Sequence, residues 1–254
     1  MKNHYFFGYS GNKRNEVDNL YNKIKKNIID KTRIIEPFCG TSALSYYISL
    51  KHPKKYRYIL NDNNKYIIDL YKIASNEKEL KKFINKLNEL IIDLDKEKYL
   101  EIIKNYDLEG WVIKNRIYCI RPGLFPNTYK NRKKPVDFNY LSDCPIINFL
   151  RTEDIIFKNK DGVDIIKKYG NNDKAFIFID PPYLMACIDF YLNSNTNIYE
   201  YFYNNKIDNF KSYIILCLEN NWIIKLLFKK FVIDEYAKTY EQSKKKTTHL
   251  IISN

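Results

Sequence analysis

Residues 176–185 read FIFIDPPYLM. Phe176, Ile177, Phe178 and Ile179 are consecutive apolar, sheet-favouring residues, the pattern of a strand buried on both faces. The run then breaks off at Asp180, Pro181, Pro182 and Tyr183. Two successive prolines fix φ near about −65° and remove two backbone donors, so the ladder cannot continue through them. What such a strand end presents is a carboxylate, the Pro181 carbonyl and an aromatic face. These are two hydrogen-bond acceptors and a stacking platform. Asp-Pro-Pro is also good turn chemistry, so the surroundings must decide what the stretch is for.

Working outward, apolar runs of strand length alternate with helical spacing. TRIIEPF (32–38) reads as a short buried strand that ends in CGTSA and leads into a helix through Leu50. KYRYILND (55–62) reads as a second strand with Asp62 at its end, followed by the helix NKYIIDLYKIA. Upstream, Val17, Leu20, Ile24 and Ile28 recur at helical spacing between Asn15 and Ile29. After position 150, EDIIFKNKDGVDIIKKYG, KAFIFIDPPY, KSYIILCLEN, KKFVIDEYA and TTHLIISN resume the alternation. This order predicts an α/β, doubly wound, mainly parallel Rossmann-like sheet. Its interruption is a charged stretch with Leu and Ile at helical spacing (76–106), then an irregular, basic and aromatic stretch (110–140). The expected domains are therefore 1–74 with 149–254, and an inserted, mostly helical unit at 75–148.

The chain has 254 residues, 45% hydrophobic and 29% charged, a globular rather than a disordered composition. Its formal net charge of +13 favours a polyanionic partner, although an AT-rich genome would enrich lysine in the same way. Position separates the two. Lys114, Arg116, Arg121, Lys130, Arg132, Lys133 and Lys134 fall within about twenty residues and are interleaved with Tyr118, Phe125 and Tyr129. Long cations suit phosphates and apolar rings fill gaps in a base stack, so these seven are candidate DNA contacts. The alternative is a solvated basic loop. The five cysteines are scattered without a CxxC pair, which argues against a zinc ribbon or a disulfide framework. No apolar run has the length of a signal-peptide core or a membrane span. The expectation is a soluble cytoplasmic protein with no metal and no membrane partner.

Ligands of doubly wound sheets sit outside the carboxyl ends of the strands, where Asp180–Tyr183 fall. Two acceptors and a ring suit an exocyclic amino group on a planar base. The adenine amino nitrogen is a poor nucleophile because its lone pair is delocalised into the ring. Accepting its two N–H bonds at Asp180 and the Pro181 carbonyl would pull it towards tetrahedral geometry, while Tyr183 stacks on the base. A methyl sulfonium in line would complete the displacement, and Asp180 would stabilise the positive charge growing on nitrogen.

With these residues in hand, the sequence resembles the Dam-like, α-group family of DNA adenine methyltransferases. YSGNKR (9–14) is similar to the family's amino-terminal Gly-Gly-Lys element, IEPFCGTSA (35–43) to its glycine-containing S-adenosylmethionine loop, YILNDNNKYIIDLY (58–71) to its acidic element, and FIDPPY (178–183) to its catalytic motif. The resemblance implies S-adenosylmethionine as cofactor and duplex DNA with a flipped adenine as partner. It also implies a restriction–modification, housekeeping or viral role, and a target-recognition domain in the long intervening segment. Carried over residue by residue, it implies Asp180, Pro181, Pro182 and Tyr183 as catalytic. Tyr9, Lys13, Glu36, Phe38, Gly40, Thr41, Ser42, Asp62 and Asp161 are implied to bind the cofactor. Lys13 would meet the cofactor's carboxylate. Asp62, 22 residues beyond Gly40, stands near the spacing at which an acid meets a ribose. Asp62 would equally serve as a helix cap, and Asp161 as a turn aspartate.

The chain departs from the pattern at Gly11-Asn12-Lys13 and at Ser42, which stand where the family has Gly-Gly-Lys and a second loop glycine. Asn tolerates left-handed φ, and Ser can cap the following helix, so both changes could be accommodated. The familiar Asn-Gly of the recognition hairpin is absent, so the GATC target is not carried over. The same chemistry on RNA adenine or a protein amide is an alternative. A catalytically inactive nucleic-acid-binding subunit is another, which the altered glycines motivate.

Overall fold

Thr32 and Arg33 lead into two isoleucines that have to be buried on both faces, and Arg33–Glu36 forms the central strand β1. It is flanked in parallel by β2 (Arg57–Asn61) on one side and β4 (Ala175–Ile179) on the other. Beyond β2 lies β3 (Asp154–Lys158), and beyond β4 lies β5 (Tyr213–Glu219), both again parallel. The last two strands, β6 (Val232–Thr239) and β7 (Lys246–Ser253), form a hairpin in which β7 inserts antiparallel against β5. The order is β3-β2-β1-β4-β5-β7-β6. This computed structural model describes residues 6–7, 13–105, 107–120, 137–182, 198–239 and 246–254.

The expected α/β, mainly parallel sheet is thus what the chain forms. β1, β2, β4, β5 and β7 carry side chains buried on both faces, as strands covered by helices must. One face packs Ile35, Ile59, Ile177, Ile179, Ile214, Leu216 and Ile252 with residues of α8 (Gly162–Tyr169), α9 (Ile198–Asn204) and α10 (Trp222–Phe228). Helix α1 (Val17–Ile24) is shorter than the Asn15–Ile29 periodicity, yet Val17, Leu20, Ile24 and Ile28 are all buried. Helices α2 (Ala43–Lys51) and α3 (Lys65–Ser75) follow β1 and β2 as crossovers.

The chain divides into two compact units. One takes Lys13–Ile68 and Glu153–Asn254 and contains the whole sheet. The other takes Met1–Asn12 and Asp69–Thr152. In this second unit, α4 (Glu77–Leu90), α5 (Lys96–Lys104), α6 (Leu108–Ile120) and α7 (Ile146–Thr152) enclose Leu80, Phe83, Leu87, Tyr99, Ile113, Phe138 and Phe149. Asn76 and Asp95 cap α4 and α5 by accepting from Glu79 N and Lys98 N. Helix α6 corrects the expectation of an irregular stretch from 110 onward. Gly110 and the three consecutive apolar residues Trp111, Val112 and Ile113 blur the helical period at the start of α6.

Candidate active site

The strand order reverses direction at β1, whose crossover leads to β2 while β4 lies on its other side. The crevice of a doubly wound sheet opens at that point, outside the carboxyl ends. Three acids stand there: Glu36 is the last residue of β1, Asp62 follows β2, and Asp180 follows β4.

After Glu36 the chain must turn sharply into α2. Gly40 does so at φ 44°, in the left-handed region that glycine enters without a Cβ penalty. Ser42 also sits there, at φ 51° and ψ 34°, and its side chain makes no cap bond to α2. This overturns a Ser42 cap, because a capping side chain works from an extended N-cap residue. Glu36 takes over instead: its Oε1 accepts from Ser45 N at 2.8 Å, within the first turn of α2. Burial pushes the Glu36 carboxyl up to about 7, against the opposing bonds from Ser45 and the charge of Lys13.

Asp62 joins the first two strand ends. Its Oδ2 accepts from Gly40 N at 2.9 Å and its Oδ1 from Asn64 N at 3.0 Å. Burial pushes its carboxyl up to about 6 despite these two bonds. The preceding residue, Asn61, escaped the sequence reading. Fully buried, it donates to the carbonyls of Pro37 and Lys160 and accepts from Lys160 N, so it ties together the chain ends beyond β1, β2 and β3. A polar residue directly before the acid, at the close of an apolar run, was its only signal.

At the end of β4, both Asp180 oxygens accept from Lys13 Nζ, at 2.5 and 2.6 Å. The lysine is 3% exposed and the aspartate 17%, so this is an ion pair largely withdrawn from water. Burial alone would depress the basicity of Lys13, but attraction to Asp180 and Glu16 outweighs it and the net shift is upward. Lys13 and Asp180 are 167 residues apart, and nothing in the sequence joined them. The Pro182 carbonyl accepts from the Tyr199 hydroxyl of α9 at 3.3 Å, which ties down the residue after Pro181.

Thr41 is buried beside Gly40. Phe38 packs on Gly162, where an added Cβ would lie 2.3 to 2.8 Å from the ring. Asp161 is the N-cap of α8 and accepts from Val163 N at 2.7 Å, a structural duty of the turn-aspartate kind.

In the second unit, Arg116 lays its guanidinium 3.8 Å from the Tyr140 ring centroid, with its Nε buried. Lys114 is partly buried, and burial lowers its basicity. Tyr9, Tyr183, Arg121, Lys130, Arg132, Lys133 and Lys134 lie outside the described residues. Among the described residues, no helix is long and apolar enough to cross a membrane, and no group of His, Cys, Asp or Glu is placed to hold a metal ion.

A seven-stranded, mostly parallel sheet with its last strand inserted antiparallel, and acids at the carboxyl ends of its central strands, defines a Rossmann-like methyltransferase fold. Residues 9–122 match the family of D12 class N6 adenine-specific DNA methyltransferases. The match spans the lysine element, the Gly40 loop and Asp62 and stops before Asp180, and it agrees with the Dam-like resemblance of the motifs. The match supports an adenine-specific DNA methyltransferase enzyme. No curated protein matches it.

Proposed function

We propose that the chain transfers a methyl group from S-adenosylmethionine to the exocyclic amino group of an adenine rotated out of duplex DNA, in the cytoplasm, with Asp180–Tyr183 as the catalytic segment. The observation that carries this reading is the convergence of Glu36, Asp62 and the Lys13–Asp180 pair on the carboxyl ends of three adjacent parallel strands. When bound, S-adenosylmethionine supplies an electrophilic methyl on a sulfonium.

The residues suit that cofactor. Glu36 and Asp62 are buried carboxyls that desolvation holds above the ordinary range, so a positive or hydrogen-donating partner would stabilise their charged form. An ammonium and ribose hydroxyls are such partners. Gly40 leaves the backbone open to close approach, and Thr41, Ser42, Phe38, Tyr9 and Asp161 complete the proposed cofactor set. Lys13 offers a cation to a carboxylate.

Towards the base, Asp180 and the Pro181 carbonyl accept the two amino N–H bonds and localise the lone pair. The Pro-Pro segment holds both acceptors without reorganisation at the moment of transfer. Tyr183 stacks on the ring. A base inside a duplex cannot reach this point, so it has to be flipped out. The segment carrying Lys114, Arg116, Arg121, Lys130, Arg132, Lys133 and Lys134, within the insertion 75–148, supports DNA docking and target recognition.

The test is Asp180→Asn, which keeps the shape and an acceptor for Lys13 but removes the charge. With tritiated S-adenosylmethionine and unmethylated genomic DNA, transfer should fall by about 10²-fold or more. Binding of S-adenosylhomocysteine should persist. Transfer at the wild-type rate would eliminate the mechanism.

A further inference from the structure

The lysine paired with Asp180 stands three residues before a second carboxylate, Glu16. Lys13 lies one tight turn before Glu16, whose backbone N–H bonds the Lys13 carbonyl at 2.9 Å. Glu16 Oε2 accepts from the Tyr236 hydroxyl at 2.7 Å. Tyr236 belongs to β6 and packs its ring 5.5 Å from that of His249, a fully buried residue of β7. Tyr236, Glu16, Lys13 and Asp180 therefore link the far edge of the sheet to the end of β4 through a side-chain bond, a backbone turn and an ion pair, all within one compact unit.

The charges in this chain do not balance. Lys13 carries one positive charge, while Asp180 and Glu16 carry two negative ones. A lysine paired with Asp180 alone would leave a neutral pair, a weak partner for an amino nitrogen turning cationic. Sharing the lysine with Glu16 leaves a net negative charge on that side of the base. Attraction to Glu16 is also among the forces that keep Lys13 protonated despite its burial.

We infer that Glu16 and Tyr236 are positioning residues for methyl transfer: Tyr236 fixes the Glu16 carboxylate, and Glu16 shares Lys13 so that Asp180 keeps its acceptor strength towards the amino group. The inference rests on the function proposed above. Glu36 also feels the charge of this lysine, but it is common to every variant below and does not alter the comparison.

The experiment uses the full chain with Glu16→Gln, Tyr236→Phe, the double variant and Glu16→Asp, assayed by tritium transfer to unmethylated genomic DNA. For Glu16→Gln, kcat should fall about tenfold with KM for cofactor and DNA within about twofold of wild type. Tyr236→Phe should lose less, because the charge remains, and the double variant should be no worse than Glu16→Gln. Glu16→Asp should recover most of the rate. In parallel, the side-chain ammonium signal of Lys13 in a ¹H–¹⁵N spectrum, assigned by its loss in Lys13→Met, should exchange faster in Glu16→Gln. A wild-type kcat in Glu16→Gln, or losses that follow the unfolded fraction or KM, would overturn the inference. A wild-type protein that methylates no DNA would instead refute the proposed function. The ammonium signal would then decide alone, unchanged exchange overturning the hold of Glu16 on Lys13 and faster exchange supporting it.

Discussion

Replacing Glu36 by glutamine should make the protein more stable above neutral pH, by an amount the site itself sets. The substituted amide would keep an oxygen for the Ser45 N–H that Glu36 now accepts at 2.8 Å, so the first turn of α2 would lose no partner. What disappears is a buried charge. Burial moves the Glu36 carboxyl from its ordinary 4.5 up to about 7, with the bonds from Ser45 and the Lys13 charge opposing. The folded-state value lies above the unfolded one, so the favourable contribution is complete below pH 4.5 and is lost as pH rises through about 7. The full gap corresponds to about 3 kcal/mol. The advantage of Glu36→Gln over wild type should therefore widen by roughly 2–3 kcal/mol between about pH 5 and pH 8. Urea unfolding of the ligand-free proteins at both pH values measures it. An advantage that stays flat or shrinks with rising pH would refute the reasoning. The same variant should bind S-adenosylhomocysteine more weakly, the usual exchange of stability for function at a site.

Ser42→Gly should stabilise the fold by about 0.5–1 kcal/mol in thermal or urea melts, since φ 51° strains a serine whose hydroxyl caps nothing. Gly162→Ala should cost about 1–3 kcal/mol and weaken S-adenosylhomocysteine binding in calorimetry, because its Cβ would lie 2.3 to 2.8 Å from the Phe38 ring and displace it. Affinity for duplex DNA, measured by fluorescence anisotropy, should fall at least about a hundredfold between roughly 50 and 200 mM salt; a flat response would remove the basic segment as the docking surface.

The strands were legible because each is a short run of residues that must be buried. TRIIEPF, KYRYILND, KAFIFID and KSYIILCLEN contain β1, β2, β4 and β5, and the terminal pair overlaps most of β6 and β7. Their order in space was not fully legible. That β7 slips between β5 and β6 depends on pairing across the hairpin, which apolar runs do not encode. Of the site, the strand-end acids could be read because an acid closing an apolar run is conspicuous. The Lys13–Asp180 pair could not, since a lysine in a polar turn is ordinarily a solvated one. The Ser42 conformation could not be read because a residue's place before a helix does not reveal its φ. Glu16 and Tyr236 carried no motif, and only the folded sheet brings them together.

The insertion of β7 has a consequence for the making of the protein. Ile214 to Leu218 of β5 are buried on both faces, and their outer edge bonds to β7, which is translated 27 residues after β5 ends. At roughly 5–20 residues per second, β5 can dock on β4 and still show the ribosome's surroundings a bare hydrophobic edge for seconds. Nascent chains should accordingly clump when translation crowds them together. Slower expression at low temperature, or extra holdase chaperone, should raise the soluble yield more than any change to the mature surface.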